Sequence, residues 1–308
     1  MSLHPQIWTF FDGAVEVLRV TAKNPSPMTF DGTNSYIVRN APRGPAAIID
    51  PGPALSAHLQ MLIALLAERD SELVGIVVTH THMDHTAGVN ALALATGAPV
   101  YAFGAHGTGG RPETQKLIEK LSMDKLLIGG GEGADRAFRA DVTLRNNDCF
   151  SPRGAYWALR ALHTPGHLSN HLCFDLEDPA QHKSGAVFTG DHIMRWATSL
   201  VSPPDGDMKA YMTSLRLFGE RRDSLHLPGH GPAIDNPDER VAALIAHRLA
   251  RRAAIESALR GSPRTISAIR AMVYHDTPEA LAPMAERNIL AHILELIEEG
   301  FVAPLTTL

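Results

Sequence analysis

Residues 80–85 read His-Thr-His-Met-Asp-His and directly follow the apolar stretch Leu73–Val78. That stretch predicts a buried strand, because it is short, rich in β-branched residues and bounded by charged residues. His80 and His82 are two residues apart, so an extended chain directs both imidazoles to the same side. The polar cluster is therefore placed where a strand ends.

Asp84 and His85 complete this cluster, and we expect both in the turn before a helix over Thr86–Ala95. Three imidazoles and a carboxylate within six residues are typical of a metal site, since both groups are good zinc ligands. Crowded imidazoles repel one another when protonated, so ordinary loop residues are a poor explanation of the spacing.

Three later motifs complete a pattern with this cluster. They are Thr-Pro-Gly-His at 164–167, Phe-Thr-Gly-Asp at 188–191 and Pro-Gly-His-Gly at 228–231. Together the four motifs resemble the metallo-β-lactamase superfamily, with its ligand positions filled in the family's order. The resemblance implies one metal held by His80, His82 and His167, a second held by Asp84, His85 and His230, and Asp191 bridging the two.

The same resemblance implies the fold. Alternating strand and helix patterns before residue 237 agree with a layered α/β (α+β) architecture. The family's version is an αββα sandwich with two mixed sheets face to face and ligands on loops at one edge. Periodicity alone does not separate this from a doubly wound sheet.

The region after Pro237 has a different character. We predict a long helix over 237–260, two shorter ones over 265–274 and 283–299, and an apolar strand from about 301. This pattern resembles a small winged-helix domain, with a plain helical appendage as the alternative. We therefore expect a catalytic domain at 1–236 and a linker helix with a winged-helix-like domain at 237–308. The long helix starts a few residues after His230, so we expect the C-terminal region to pack near the site.

The composition of the chain indicates its protein class and its expected location. The 308 residues are 44% hydrophobic and 20% charged, which is typical of a globular protein. We see no apolar stretch of about 20 residues and no secretory signal, so we expect no membrane contact. Cys149 and Cys173 form no ligand spacing, which agrees with a cytoplasmic location. The net charge of −5 argues against indiscriminate nucleic-acid binding.

Other motifs have simpler explanations. His171 and His192 are expected to be hydrogen-bonded neighbours of the metal ligands, because the ligand set is complete without them. The glycine-rich run Gly129–Gly133 lacks the Lys-Ser/Thr ending of a phosphate loop and predicts a surface loop.

Zinc is the expected metal, with manganese or iron compatible with the same ligands. Paired metals lower the pKa of a bound water, so that a metal-bound hydroxide attacks the substrate at neutral pH. Asp84 is the expected catalytic residue, orienting that nucleophile. Asp191 at the bridging position disfavours a true β-lactamase, because those enzymes generally carry another residue there.

Three functions remain open. The order of sandwich, Arg-rich helix and winged helix is similar to the β-lactamase-like endoribonuclease subgroup. That likeness favours hydrolysis of a phosphodiester, such as single-stranded RNA. The alternatives are a glyoxalase II-like thioester or ester hydrolase acting on a small molecule, and a metal-containing winged-helix protein that binds DNA. The candidate substrate contacts are Asn34, His171, Arg248 and Arg252.

Overall fold

The structure is a computed structural model that describes residues 5–123, 133–260 and 265–301. Its centre is two β-sheets that face each other. The first sheet has seven strands in chain order: β1 (Gln6–Phe10), β2 (Val15–Thr21), β3 (Asn34–Asn40), β4 (Gly44–Ile49), β5 (Ser71–Val77), β6 (Val100–Ala102) and β7 (Val142–Thr143). The second has five, again neighbours in chain order: β8 (Cys149–Phe150), β9 (Ala158–His163), β10 (Leu172–Glu177), β11 (Lys183–Gly190) and β12 (Leu225–Pro228).

Both sheets are mixed. Strands β1 to β4 are antiparallel, whereas β4 to β7 run parallel. In the second sheet only the β11–β12 pair is parallel. Parallel neighbours end at the same edge of a sheet, so the residues that follow β4 and β5, or β11 and β12, are brought together.

Helices cover the outer faces: α1 (Ser56–Glu68), α2 (Met83–Thr86), α3 (Val89–Thr96), α4 (Pro112–Met123), α5 (Met208–Gly219), α6 (Pro237–Leu259), α7 (Ile266–Val273) and α8 (Ala282–Glu298). The side chains of β3 show why the layers form. Tyr36 and Val38 point into the core between the sheets, while Ile37 points outward into the core under α1 and α3. Period-two alternation with apolar residues on both faces is expected of a strand buried on both sides. The αββα sandwich predicted from the sequence is confirmed.

Helix α6 contributes to more than one core. The first half of α6 packs with α5 on the outside of the second sheet, through Val241 and Leu244. Its second half forms a separate cluster with α7 and α8, through Ile255 and Ala258. The proposed boundary between residues 236 and 237 stays a prediction, because α6 packs with both parts.

Several predicted boundaries need correction. The helix predicted over 86–95 is two helices, α2 and α3, and α2 already contains Asp84 and His85. Strands β1 and β8 were not predicted from the sequence. Most of the Gly129–Gly133 run and the strand continuation after residue 301 lie outside the described residues.

Candidate metal centre

The candidate site lies at one edge of the sandwich, where four strands end. The chain leaves β5, β9, β11 and β12 through short turns, and each turn carries site residues. These residues are His80, His82, Asp84 and His85 after β5, His167 after β9, Asp191 after β11 and His230 after β12.

The first group of candidate ligands consists of His80, His82, His167 and Asp191. The Nδ1 atom of His82 lies 3.0 Å from Nε2 of His80 and 3.0 Å from Nε2 of His167. Asp191 Oδ2 lies 3.8 Å from His80 Nε2 and 3.6 Å from His167 Nε2. Three ring nitrogens and one carboxylate oxygen therefore face a common point.

The second group consists of Asp84, His85 and His230. The Nε2 atoms of His85 and His230 are 3.3 Å apart, and Asp84 Oδ2 lies 3.5 and 3.2 Å from them, respectively. Asp191 reaches this group too, because its Oδ1 lies 3.4 Å from His85 Nε2 and its Oδ2 lies 3.3 Å from His230 Nε2. Asp191 thus stands between the two groups.

The donor atoms fit a pair of divalent cations. Bonds of about 2.0–2.1 Å in a tetrahedral site place neighbouring ligand atoms roughly 3.3–3.4 Å apart, close to the separations in both groups. Asp191 Oδ1 is buried and has no hydrogen-bond partner among the described residues. A Cβ on Gly229 would lie 2.5 Å from that oxygen, so the glycine lets the turn approach the ligands.

Charge is balanced within the cluster. Burial alone lowers the pKa of a histidine, and it is the largest effect on His80 and His82. The pKa of His80 falls well below its usual value, and that of His82 falls to about 3. Burial also acts on His85 and His230, but Asp84 and Asp191 outweigh it. They raise the pKa of His85 well above its usual value and that of His230 to about 9. The carboxylates therefore favour positive charge in the second group, as bound cations would supply.

Asp50, which the sequence analysis missed, orients a histidine in each group. Its Oδ2 accepts from His85 Nδ1 at 2.8 Å and from the Thr79 hydroxyl at 2.7 Å. Since the Thr79 proton is used by Asp50, the hydroxyl accepts from His80 Nδ1 at 2.9 Å. Both imidazoles then direct Nε2 towards the cluster, where a bound cation would take the place of a proton. Asp50 follows β4, the parallel neighbour of β5, and that adjacency is the signal by which it could have been found.

Backbone carbonyls orient two further histidines. His167 Nδ1 donates to Leu200 O at 2.6 Å, and His230 Nδ1 donates to Gly32 O at 3.2 Å. These contacts likewise direct Nε2 inward. Sequence reasoning had no signal for them, because every residue carries a carbonyl.

Two predicted substrate contacts have structural roles instead. The Asn34 amide is buried and donates to Pro228 O and Gly231 O, both at 2.9 Å, so it fixes the turn that carries His230. His171 is also buried, and its Nε2 accepts from Asp191 N at 3.2 Å. This placement agrees with the neighbour role that we expected for His171.

Arg248 and Arg252, the other two predicted substrate contacts, have partners within the protein. Arg248 is 1% exposed and donates to Ser199 O, while Arg252 forms salt bridges with Glu256, Glu295 and Glu299. A guanidinium that is buried or already paired is a poor contact for an incoming phosphate.

Apolar side chains border the cluster. The rings of Phe30 and Trp196 lie 5.3 Å apart, and Trp196 packs on Gly231, next to His230. Met83, between two candidate ligands in sequence, is 47% exposed. We call Phe30, Met83 and Trp196 the apolar rim.

The C-terminal helices reach the same region, as predicted. Asn288 of α8 accepts from Val201 N at 3.1 Å, one residue after the carbonyl that holds His167. None of the described helices is long and apolar enough to cross a membrane.

The sequence matches two known families. Residues 28–230 match the Metallo-beta-lactamase superfamily, and residues 265–305 match the Beta-lactamase associated winged helix domain. A Beta-lactamase-like protein 2 homolog from Caenorhabditis elegans is 28% identical, over 93% of this chain and 85% of its own. An Atrochrysone carboxyl ACP thioesterase from Aspergillus chevalieri is also 28% identical, over 90% of this chain and 79% of its own.

Solved structures share the fold. A beta-lactamase domain protein from Burkholderia ambifaria superposes with a TM-score of 0.71 at 19% identity, covering 96% of this chain and 90% of its own. A metallo-beta-lactamase family protein from Thermus thermophilus gives 0.69 at 22% identity, covering 93% and 94%. The chain therefore belongs to the metallo-β-lactamase superfamily, as a hydrolase that also carries the β-lactamase-associated winged-helix domain.

Proposed function

We propose that the protein is a dinuclear metal-dependent hydrolase of esters or thioesters with an apolar acyl group. His80, His82 and His167 would hold one cation, Asp84, His85 and His230 the other, and Asp191 would bridge them. Zinc fits the imidazole and carboxylate ligands best, and manganese and iron fit the same donors. When bound, such a pair supplies Lewis acidity and lowers the pKa of a coordinated water.

The protein's own contribution centres on Asp84. Its side chain is 29% exposed, against 9% for Asp191, so it is the carboxylate that a substrate can reach. Its Oδ2 accepts from the Thr33 hydroxyl at 3.0 Å, which fixes the carboxylate plane. We propose that Asp84 orients the attacking water and carries a proton towards the leaving group.

The apolar rim is the observation that supports a substrate with an apolar acyl group. The Phe30–Trp196 ring pair beside His230 suits an acyl chain or an aromatic acyl group, since burying such surface is favourable. An ester or thioester presents a carbonyl that needs no cationic clamp around it. The thioesterase name of one relative supports the same reaction class.

Phosphodiester cleavage, with RNA as the substrate, stays a prediction. Arg248 and Arg252, two of the candidate contacts for a phosphate, bind Ser199 and Glu299 in this structure and so do not add support for it. The DNA-binding alternative is also less favoured, since the site offers reachable ligands rather than a closed coordination shell.

A parallel hydrolysis panel tests the proposal. Metal-loaded protein would be given acyl thioesters of increasing chain length, a chromogenic phosphodiester and a single-stranded RNA oligonucleotide. We expect thioester turnover with kcat/KM rising with chain length, and a loss of about 100-fold or more in Asp84→Ala. Cleavage of RNA or the phosphodiester with all thioesters left intact would overturn the proposal in favour of the phosphodiesterase.

A further inference from the structure

The segment from Met194 to Ser202 lies between β11 and α5 and contacts two of the candidate ligands. Leu200 O accepts from His167 Nδ1 at 2.6 Å. The hydroxyl of Ser199 donates to the backbone carbonyl of Asp191. Since His167 and Asp191 belong to the first ligand group, the position of this segment sets the position of two of its members.

The other side of the segment is held by the C-terminal helices. Arg248 of α6 donates to Ser199 O and, at 3.2 Å, to the side-chain oxygen of Asn288. That oxygen also accepts from Val201 N at 3.1 Å. We call Arg248 and Asn288 the clamp, because they hold the residues on both sides of Leu200.

The environment of Arg248 is unusual for a cation. The side chain is 1% exposed, forms no salt bridge with the described residues, and lies over the Tyr211 ring at 5.1 Å. A buried charge without a carboxylate partner is costly, and an apolar residue would fill the same space at lower cost. Its hydrogen bonds to the segment are therefore the feature that only this side chain supplies.

We infer that Arg248, together with Asn288, is a positioning residue for the first ligand group. By fixing Ser199 and Val201, the clamp holds Leu200 O where it orients the His167 ring. The C-terminal unit thereby contributes to the metal site without touching it. This inference rests on the proposed metal centre, and its failure can be told apart from the failure of that centre.

The test measures metal binding rather than activity alone. Parent, Arg248→Met and Asn288→Ala proteins would be titrated with Zn²⁺ against a chromogenic chelator, and their Co²⁺ forms compared by visible absorption. We expect both variants to weaken one of two binding steps, by about 10- to 100-fold in Arg248→Met and less in Asn288→Ala, and to shift the Co²⁺ spectrum. The other binding step should keep its parental affinity.

Arg251→Met is the matched control. Arg251 lies on the same helix, donates to Val273 O and lies over the Tyr274 ring; among the described residues it forms no hydrogen bond with the segment. We expect parental metal binding from it, whatever it loses in thermal stability.

Each result has a definite meaning. Parental binding of both metals in Arg248→Met and Asn288→Ala would overturn the inference, as would an equal loss in Arg251→Met. If Arg248→Met does not fold, Asn288→Ala decides. A parent that binds no metal at all would overturn the proposed metal centre itself, and the clamp with it.

Discussion

A single carboxylate, Asp50, connects the two ligand groups through hydrogen bonds to His85 and Thr79. We predict that Asp50→Asn weakens metal binding by about 10- to 100-fold. Asp50 Oδ1 accepts from Thr79 N, and Oδ2 accepts from His85 Nδ1 and the Thr79 hydroxyl, so the amide NH2 would face a donor in either orientation. The loss should affect both binding steps, since His80 depends on Thr79 and His85 depends on Asp50 directly. Chelator competition with Zn²⁺ measures it.

Asp141→Asn provides the control for that experiment. The Asp141 carboxylate also accepts a backbone N–H, from Val100 at 2.8 Å. Asp141 directly precedes β7 and lies outside the ligand groups. Metal affinity should be unchanged. If Asp50→Asn keeps parental affinity at both steps, the orienting role of Asp50 is wrong.

Phe30 tests the apolar rim. The side chain is 42% exposed and packs against Trp196, so Phe30→Ala should remove substrate contact area with little loss of stability. We predict a KM for a long-chain thioester that rises about 10-fold, with kcat within a factor of about two, because the contact is equally strong in ground and transition states. Steady-state kinetics on short- and long-chain substrates separates the two effects.

Phe301→Ala is the matched control for this prediction. Phe301 is 43% exposed and lies against Arg260 at the end of α6. Its removal should leave both kinetic constants unchanged. A KM increase in Phe30→Ala that is the same for every chain length would show that the apolar rim does not bind the acyl chain.

The seven site residues were predictable because each sits in a compact motif with a recognisable order. What the sequence did not reveal were the groups that orient them. Asp50 is isolated in sequence, and the Leu200 carbonyl belongs to the backbone. The burial of Arg248 was not predictable for a related reason, since an arginine on a solvated helix face and one buried against a loop look the same in a sequence.

At the level of elements, one carboxylate of α8 forms two ion pairs with residues of the sandwich. Glu298 accepts from Arg111 at 2.7 Å and from Lys209 at 2.5 Å, which lowers its pKa to about 2. A lowered pKa stabilises the folded state above the ordinary value of about 4.5, and this stabilisation is lost as the pH falls towards 2. We predict that Glu298→Gln is less stable than the parent at pH 6 and that the difference shrinks between pH 4.5 and pH 2. Urea unfolding across this range measures both curves.

Glu279→Gln is the control, because Glu279 is 85% exposed and its distance from Arg270, 3.4 Å, is longer than those in the Glu298 ion pairs. Exposed pairs of this kind contribute little, so its unfolding curve should follow the parent at each pH. A constant difference between parent and Glu298→Gln over the whole range would contradict the role given to the ion pair.

The elements that sequence reasoning found and missed differ in burial. Strand β3 and helix α1 were predictable because their apolar residues repeat with a clear period and face a core. Strand β1 is an edge strand with exposed residues, and β8 has two residues, so neither leaves such a pattern. The helix predicted over 86–95 was divided because the chain turns between Thr86 and Val89.

On the scale of the whole molecule, α6 joins the two cores. Its 23 residues extend about 34 Å, enough to pack on the second sheet at one end and on α7 and α8 at the other. Loss of either core would therefore leave one half of α6 without its apolar partners. We expect the sandwich and the C-terminal unit to unfold in one cooperative transition.

Ile269→Ala tests this coupling from the end remote from the sheets. Ile269 of α7 is fully buried in the C-terminal cluster, so its truncation should cost about 2–5 kcal/mol. The protein's three tryptophans, Trp8, Trp157 and Trp196, all lie before α6 and report on the sandwich. In a cooperative molecule their fluorescence transition moves to lower urea concentration together with the far-UV circular dichroism signal of the helices.

Met272→Ala, at a half-exposed position on the same helix, should move neither signal. A fluorescence midpoint that stays in place while the helical signal is lost earlier would show that the C-terminal unit unfolds independently.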